Sequence, residues 1–154
     1  ASQLLQKADI ILTQLETPIP VIGYLASYCR ENSQKLIINP APAQELSDDI
    51  LKELYLITPN ETETRILTGI EVVDESSASR ACEALFLKGV KNVLITMGSR
   101  GAFFMNSEVH FTAKVQKVDA IDTTAAGDVF NGALAVCLAQ NMTWKESITA
   151  LTRT

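Results

Sequence analysis

The 154-residue sequence predicts a single α/β domain over residues 1–154, with a doubly wound, mostly parallel sheet, helices on both faces and antiparallel edge strands. Apolar runs of strand length alternate with segments of helical spacing, and the connections between them are short. The runs are continuous and rich in β-branched residues, which is typical of strands buried on both faces. After the fourth run the pattern changes to short strands and tight turns, which indicates antiparallel pairing.

The parallel part of the sheet is predicted from four apolar runs, at residues 10–12, 36–38, 54–57 and 93–95. A helix over residues 2–8 precedes the first run. The next helix places Val21, Leu25 and Tyr28 on one face, and a later one repeats its apolar residues at i, i+3, i+4 and i+7 until Gly89 ends it. The residues of this later stripe are Ala78, Ala81, Cys82 and Leu85.

The last third of the chain predicts two edge strands and two helices. A turn at residues 98–101 leads into strands at 102–105 and 109–111, which we expect at one edge of the sheet. The long helix from about residue 127 to 140 is apolar on nearly every side, so it is predicted to be buried. Its apolar residues include Phe130, Leu134, Cys137 and Leu138, and another helix follows at residues 144–150.

Composition narrows the class of protein. With 47% apolar and 20% charged residues the chain resembles an ordinary soluble domain, and its net charge of −5 without a basic run argues against nucleic acid or a membrane surface as partner. No apolar run approaches a membrane span and no signal peptide opens the chain, so a cytoplasmic location is expected. The isolated cysteines are expected to be reduced core residues, and the only histidine, His110, is expected at the surface.

The segment 122–132 combines a loop of Thr, Ala and Gly with the start of an apolar helix. Backbone N–H groups at a helix N-terminus bind phosphate well, so this segment is a candidate phosphate site. Asp128 lies where the helix opens. It is either an N-cap residue, which is a structural role, or a general base that takes a proton from a hydroxyl during phosphoryl transfer.

Polar residues follow each of the four predicted parallel strands, at the edge where α/β sheets bind ligands. Each group also has a structural explanation. Glu16 could be a solvated carboxylate, Asn60 and Glu63 could form a capping box, and glycines 98 and 101 could serve a turn. The loop 39–43 after the second strand is stiff and has little donor capacity. Their convergence on one edge favours a functional interpretation.

Four motifs in this order resemble the ribokinase family of ATP-dependent sugar kinases. They are N-P-A-P-A at 39–43, T-P-N-E-T-E at 58–63, T-M-G-S-R-G at 96–101 and D-T-T-A-A-G-D at 122–128. The resemblance covers nearly the whole chain and implies ATP-dependent phosphorylation of the primary hydroxyl of a sugar, with ribose favoured. It identifies Asp128 as the base, the 125–128 loop (Ala125, Ala126, Gly127) as the anion hole, and Glu16, with Asp128, as a sugar ligand.

The resemblance also implies cofactor and nucleotide sites. Asn60 and Glu63 resemble the element that arranges Mg²⁺ and its waters, and Asp122 and Thr124 resemble part of a K⁺ site. The nucleotide-binding residues that it implies are Asn60, Thr96, Gly98, Ser99, Arg100, Gly101 and Gly127.

Members of this family are about twice as long as the present chain. The resemblance therefore implies that an N-terminal sugar-binding and lid portion and a C-terminal end are missing, and that the sheet has an open edge. We expect the chain alone to be inactive or weakly active, and the full-length protein to be a possible homodimer.

Other functions stay open at this point. A fructokinase or an adenosine kinase would share the last motif, and a non-catalytic nucleotide-binding regulatory module would lack turnover. A Rossmann dehydrogenase is disfavoured because no strand is followed by G-x-G-x-x-G, and P-loop kinases are excluded because no G-x-x-x-x-G-K-[ST] occurs.

Overall fold

The computed structural model describes residues 2–115 and 126–153, and these form a six-stranded sheet in the order β1-β2-β3-β4-β5-β6. Strands β1 to β4 are parallel, and β5 and β6 add to β4 in antiparallel fashion at one edge. The predicted sheet is therefore confirmed. The strands are β1 (Ile10–Gln14), β2 (Lys35–Asn39), β3 (Leu56–Ile57), β4 (Asn92–Thr96), β5 (Ala102–Asn106) and β6 (His110–Ala113).

Helices connect the parallel strands and follow the edge hairpin. A short helix, α3, was not predicted, because four residues are too few to display a helical period. In the described part of the chain the helices are α1 (Ser2–Gln6), α2 (Ile19–Glu31), α3 (Asp48–Leu51), α4 (Glu61–Thr68), α5 (Glu75–Leu87), α6 (Ala126–Ala139) and α7 (Trp144–Thr152). None of them is long and apolar enough to cross a membrane.

The sheet separates two hydrophobic cores, because alternate residues of each strand point to opposite faces. On one face, α2 to α5 pack over residues such as Ile38 and Ile57. On the other face, α6 and α7 pack over Ile37, Leu56 and Leu94. Helices on both faces are thus confirmed, and every residue of the predicted α5 stripe is buried.

In α2 the buried residues are Ile22, Ala26 and Cys29, one position after the row of Val21, Leu25 and Tyr28 that shares one face of the helix. One predicted burial pattern is wrong. Helix α6 is not buried on nearly every side: Val129 is 71% exposed and Val136 is 56% exposed. Only one face of α6 lies on the sheet, and no described element covers the opposite face.

The strand bounds also need correction. Of the predicted strand at 54–57 only Leu56 and Ile57 join the ladder, because the backbone N–H of Leu54 still bonds to the carbonyl of Leu51 in the preceding turn. Strand β1 is only half-buried, with Leu12 36% exposed, because it is the edge strand of the described sheet. His110 is exposed in β6, as predicted.

The cysteines are free, and two of them are buried as predicted. Burial raises the pKa of Cys82 to about 12, so its thiol is a poor nucleophile. Cys137 is only half-buried, which corrects the prediction that it is a core residue, since it lies on the flank of α6.

Candidate active site

Three polar side chains lie side by side at the carboxyl ends of β1, β2 and β3. Gln14 is paired with Asn39 across the β1–β2 ladder, and Thr58 directly follows β3. Residues two positions earlier on β2 and β3, Ile37 and Leu56, pack under α6 and α7. Because side chains alternate along a strand, the three polar side chains also lie on the α6 side of the sheet. The predicted convergence at this edge is present in the structure.

Two cavities open at this edge. The larger, about 700 Å³, extends from the start of α6 over Asn60, Glu63 and the Thr96–Gly101 turn. The smaller, about 410 Å³, lies beside β1 and is lined by Gln14 and Glu16. Both cavities share three lining residues: Asn39, Asp128 and Asn131. We call this shared wall the junction.

Asp128 is the third residue of α6 and is exposed at the junction. Its carboxylate accepts a hydrogen bond from the side-chain amide of Gln14, which is 114 residues away in the sequence. A residue inside the helix cannot be its N-cap, so the structural alternative for Asp128 does not hold. The carboxylate is instead held by the edge strand and faces both cavities.

The first turn of α6 is tied to the sheet by Asn131, which is 5% exposed. The hydroxyl of Thr58 donates to Asn131 Oδ1 over 2.6 Å, and Asn131 Nδ2 donates to the carbonyl of Gly127 over 2.9 Å. The first backbone N–H groups of a helix have no partner within it, and Ala126 and Gly127, the first two described residues of α6, line the larger cavity. An anion could bind there.

The remaining residues predicted for the loop before α6 lie outside the described residues. These are Asp122, Thr124 and Ala125.

Asn60 and Glu63 form the predicted capping box at the start of α4. The Asn60 side chain accepts from the backbone N–H of Glu63 over 2.9 Å, and Glu63 Oε2 accepts from the backbone N–H of Asn60 over 2.8 Å. Glu63 is 6% exposed, and burial raises the pKa of its carboxyl, although the Asn60 hydrogen bond opposes this shift. A buried carboxylate facing a cavity would be stabilised by a cation there.

The side chains available here suit a metal ion that keeps some of its waters better than one that is coordinated by protein atoms alone. Within the described ranges no group of three or more His, Cys, Asp or Glu side chains could hold a metal. Mg²⁺ keeps several waters and commonly binds one or two carboxylates together with substrate phosphates. Glu63 and the amide of Asn60 fit that pattern at the floor of the larger cavity.

Thr96, Gly98 and Gly101 line the larger cavity at the end of β4. Gly101 has φ +96°, and a Cβ on it would lie 2.0 Å from the carbonyl oxygen of Ala113. The turn can therefore pass β6 only with glycine at this position.

Arg100 and Ser99 do not line the larger cavity. The Arg100 guanidinium donates to the carboxylate of Glu61 and to the carbonyls of Val72 and Val73, and it lines a neighbouring surface depression. The nucleotide-binding role of these two residues stays a prediction. Glu16 lies in the smaller cavity with Asp128, apart from the turn.

The sequence reasoning missed Gln14 and Asn131 as site residues. Asn131 carried a signal, since it is a polar residue in an otherwise apolar helix and would need a buried partner. Gln14 stood at a recognised strand end, but nothing in the sequence indicated that it would reach Asp128.

Comparisons with known proteins show similar sequences and a similar fold. Residues 1–150 match the family described as pfkB family carbohydrate kinase. The chain is 44% identical to the ribokinase of Haemophilus influenzae over 142 residues, covering 92% of this chain and 46% of that protein. It is 33% identical to a deoxyribokinase of Salmonella typhi over 136 residues, covering 88% of this chain and 44% of that protein.

The fold is also similar to that of a solved sugar kinase. The structure of Arabidopsis thaliana ribokinase complexed with ribose and ATP superposes with a TM-score of 0.92 at 25% identity, covering 97% of this chain and 49% of that chain. The chain thus spans about half the length of the curated relatives it matches.

Proposed function

Because the chain belongs to the pfkB family of carbohydrate kinases, we propose that it carries the nucleotide-binding and catalytic part of a sugar kinase. The reaction is transfer of the γ-phosphoryl group of ATP to the primary hydroxyl of a small sugar, with D-ribose as the first candidate. The names of the matched relatives support ribose, and 2-deoxyribose is the nearest alternative among them.

The observation that carries this proposal is the position of Asp128 on the wall between two cavities. The larger cavity offers helix N–H groups and a glycine turn, as a nucleotide needs. The smaller cavity offers Glu16 and Gln14, whose oxygen and nitrogen atoms suit sugar hydroxyls. A base at the junction can reach a hydroxyl on one side while the phosphoryl group lies on the other.

In the proposed reaction Asp128 takes the proton of the sugar hydroxyl as its oxygen attacks the γ-phosphorus. The bond between that phosphorus and the β–γ bridging oxygen breaks, and ADP leaves with the electron pair. The N–H groups of Ala126 and Gly127, together with that of Asp128, stabilise the charge on the phosphoryl oxygens. Gln14 orients the carboxylate, and the Thr58–Asn131 pair holds the turn that carries the N–H groups.

Cofactors are part of the proposal. Glu63 and Asn60 would hold Mg²⁺ through its waters, and the ion would neutralise charge on the ATP phosphates when bound. A K⁺ site at Asp122 and Thr124 rests on the sequence resemblance alone, because both residues lie outside the described part of the chain.

We also propose that the chain is part of a longer kinase fold, as the length of its relatives suggests. The exposed edge of β1 and the uncovered face of α6 are where a further segment would pack. On this proposal the chain alone turns over little or no sugar, because part of the sugar site is absent.

The test compares the chain alone with a chimera in which it replaces the matching 46% of the Haemophilus influenzae ribokinase. A coupled ADP-release assay with ribose, 2-deoxyribose, fructose and adenosine, with and without K⁺, reports turnover. We expect ribose-dependent, K⁺-stimulated turnover in the chimera. We expect Asp128→Asn to reduce kcat by several orders of magnitude while ATP binding persists.

The matched control is Asp74→Asn, since Asp74 is a true N-cap whose carboxylate accepts from the backbone N–H of Ser77. This variant should lower Tm and leave kcat unchanged. A chimera that binds ATP but forms no ADP would favour the regulatory module, and an unchanged kcat in Asp128→Asn would remove the base from the mechanism.

A further inference from the structure

Asn39, the last residue of β2, carries a side-chain amide that makes no hydrogen bond to any other residue that the structure describes. Its side chain is 7% exposed and lines both cavities at the junction. Within residues 2–115 and 126–153 its backbone carbonyl accepts from Ala41, but its side-chain amide makes no hydrogen bond. The sequence predicts few hydrogen-bond donors in the loop 39–43. In the structure, the side-chain amide of Asn39 is one such donor at the start of this loop.

Other asparagines buried to the same degree are hydrogen-bonded. Asn92, 6% exposed, donates to the carbonyl of Tyr55 over 2.7 Å, and Asn131 both accepts from Thr58 and donates to Gly127. The Asn39 amide is not among the fully enclosed polar atoms that lack a partner, so it opens onto the cavities, where a ligand can reach it. An unpaired amide that faces two cavities is therefore a candidate ligand contact.

The charges around the junction indicate which kind of ligand the amide would meet. Among the described residues that line the two cavities there are four carboxylates, Glu16, Glu61, Glu63 and Asp128, and no lysine or arginine. The negative charge of a phosphoryl group would have to be met here by neutral donors and by a metal ion. Besides the backbone, the side-chain amide of Asn39 is such a donor.

We propose that Asn39 is a catalytic residue whose Nδ2–H donates a hydrogen bond to an oxygen of the phosphoryl group as it passes between the two cavities. This inference rests on the proposed kinase function and adds a residue to it. Asn39 forms and breaks no covalent bond, and the proton of the sugar hydroxyl still goes to Asp128. Because its contact is strongest in the transition state, the amide should affect kcat more than either KM.

The test uses the chimera and two substitutions at Asn39. Asn39→Ala removes the donor and should lower kcat about 100-fold, with KM for ribose and ATP within about threefold. Asn39→Asp keeps the shape but places a carboxylate against the phosphoryl oxygens, and should lower kcat roughly tenfold further. A packing role predicts the opposite order, because Asp fills the site better than Ala.

A binding measurement distinguishes the loss of a ligand contact from poor folding of a variant. Calorimetry with ribose and ADP plus aluminium fluoride, a mimic of the transferring phosphoryl group, should show an affinity loss in Asn39→Ala that ADP alone does not show. The control is Asn92→Ala at the opposite end of the sheet, which should lower Tm and keep kcat.

The outcomes separate this inference from the proposed function. If Asp128→Asn abolishes turnover but both Asn39 variants retain kcat, the assignment of Asn39 is wrong and the kinase proposal stands. If Asp is milder than Ala, or if ADP alone loses the same affinity as the mimic, Asn39 has only a packing or ground-state role. If the unsubstituted chimera shows no sugar-dependent turnover, both proposals are overturned.

Discussion

The hydroxyl of Thr58 is a small group on which the proposed active site depends. It satisfies Asn131, and Asn131 in turn holds the Gly127 carbonyl in the first turn of α6. Gly127 and Asn131 both lie within about one helical turn of Asp128 on α6. The geometry of the proposed anion site thus depends on a contact that does not itself involve the ligand.

Thr58→Val should therefore impair both stability and turnover. It keeps the shape of the side chain but leaves Asn131 Oδ1 buried without a donor, which costs about 1–3 kcal/mol of unfolding free energy. We expect kcat of the chimera to fall about tenfold because the N–H groups lose their fixed position. Thermal unfolding and the ADP-release assay measure the two effects.

Thr58→Ser is the rescue variant, since it restores the hydroxyl and should recover most of kcat. Thr68→Val is the control, because the Thr68 hydroxyl bonds only to nearby backbone, donating to the carbonyl of Thr64 and accepting from the N–H of Ile70. A Thr58→Val variant with full activity would show that the anion site does not need this link.

Glu63 should make the chain less stable as pH rises, whereas a carboxylate with a lowered pKa makes a protein more stable as pH rises. Burial raises the pKa of its carboxyl in the folded state. A raised folded pKa means that its stabilising contribution is present at low pH and is lost as pH rises through that folded pKa. At neutral pH the charged Glu63 therefore reduces stability unless a cation is bound nearby.

Glu63→Gln keeps a capping oxygen without the charge, so we expect it to raise Tm of the metal-free chain at neutral pH. The gain should vanish as pH falls below the ordinary carboxyl pKa of 4.5, where wild-type Glu63 is also neutral. Melting curves across this pH range, without Mg²⁺, test the prediction.

Glu146 is the matched control. It also completes a capping box, with Thr143, but it is exposed, and the hydrogen bonds from Thr143 lower the pKa of its carboxyl. Glu146→Gln should lower Tm at neutral pH and lose its effect in acid. Equal behaviour of the two variants would mean that burial does not govern Glu63.

At the scale of elements, the turn between β4 and β5 depends on one glycine. Gly101→Ala would place a Cβ 2.0 Å from the Ala113 carbonyl oxygen and put alanine at φ +96°. We expect a loss of at least about 2 kcal/mol in unfolding free energy and weaker nucleotide binding, because the turn must move away from β6.

Gly23→Ala is the control for this substitution. Gly23 lies inside α2 with nothing within 4 Å of its Cβ position, so alanine there should be neutral or stabilising by about 0.5–1 kcal/mol. Denaturant unfolding compares the two. A Gly101→Ala variant as stable as wild type would contradict the close approach to β6.

Local signals allowed some elements to be predicted in full. Helix α4 begins where the predicted capping box places it, because that motif lies within four consecutive residues, and in the structure it ends at Gly69 with φ +75°. The buried face of α2 and the exposed face of α6 could not be predicted, because burial depends on which elements are present to cover a helix. An apolar helix looks the same in sequence whether or not a neighbour packs on it.

The candidate active site was likewise predictable only in part. The polar strand ends and the start of α6 could be predicted, because α/β sheets bind ligands at one edge. Which side chains meet across that edge depends on strand order and register, and the contact between Gln14 and Asp128 joins residues from opposite ends of the chain. The capping of Asn60 was predictable, whereas the unpaired amide of Asn39 was not.

For the whole molecule, the edge strand β1 is the feature that most distinguishes the chain from a closed domain. No described strand pairs with its outer edge, Leu12 is 36% exposed, and Val136 on the adjacent α6 is 56% exposed. Exposed edge strands with apolar side chains pair with other chains. We therefore expect the isolated chain to self-associate as its concentration rises, and the chimera, in which a further segment is present, to do so less.

Leu12→Lys should shift the isolated chain towards monomer in sedimentation velocity, because a lysine on an edge strand opposes pairing with a second strand. Its cost to Tm should be small, since the side chain is already partly in water. Leu87→Lys is the matched control: Leu87 is 91% exposed at the end of α5, so removing it subtracts the same apolar group far from the edge. If the two substitutions reduce association equally, general surface hydrophobicity drives it. If neither does, the edge of β1 is protected, and the proposal that a further segment packs there loses its structural support.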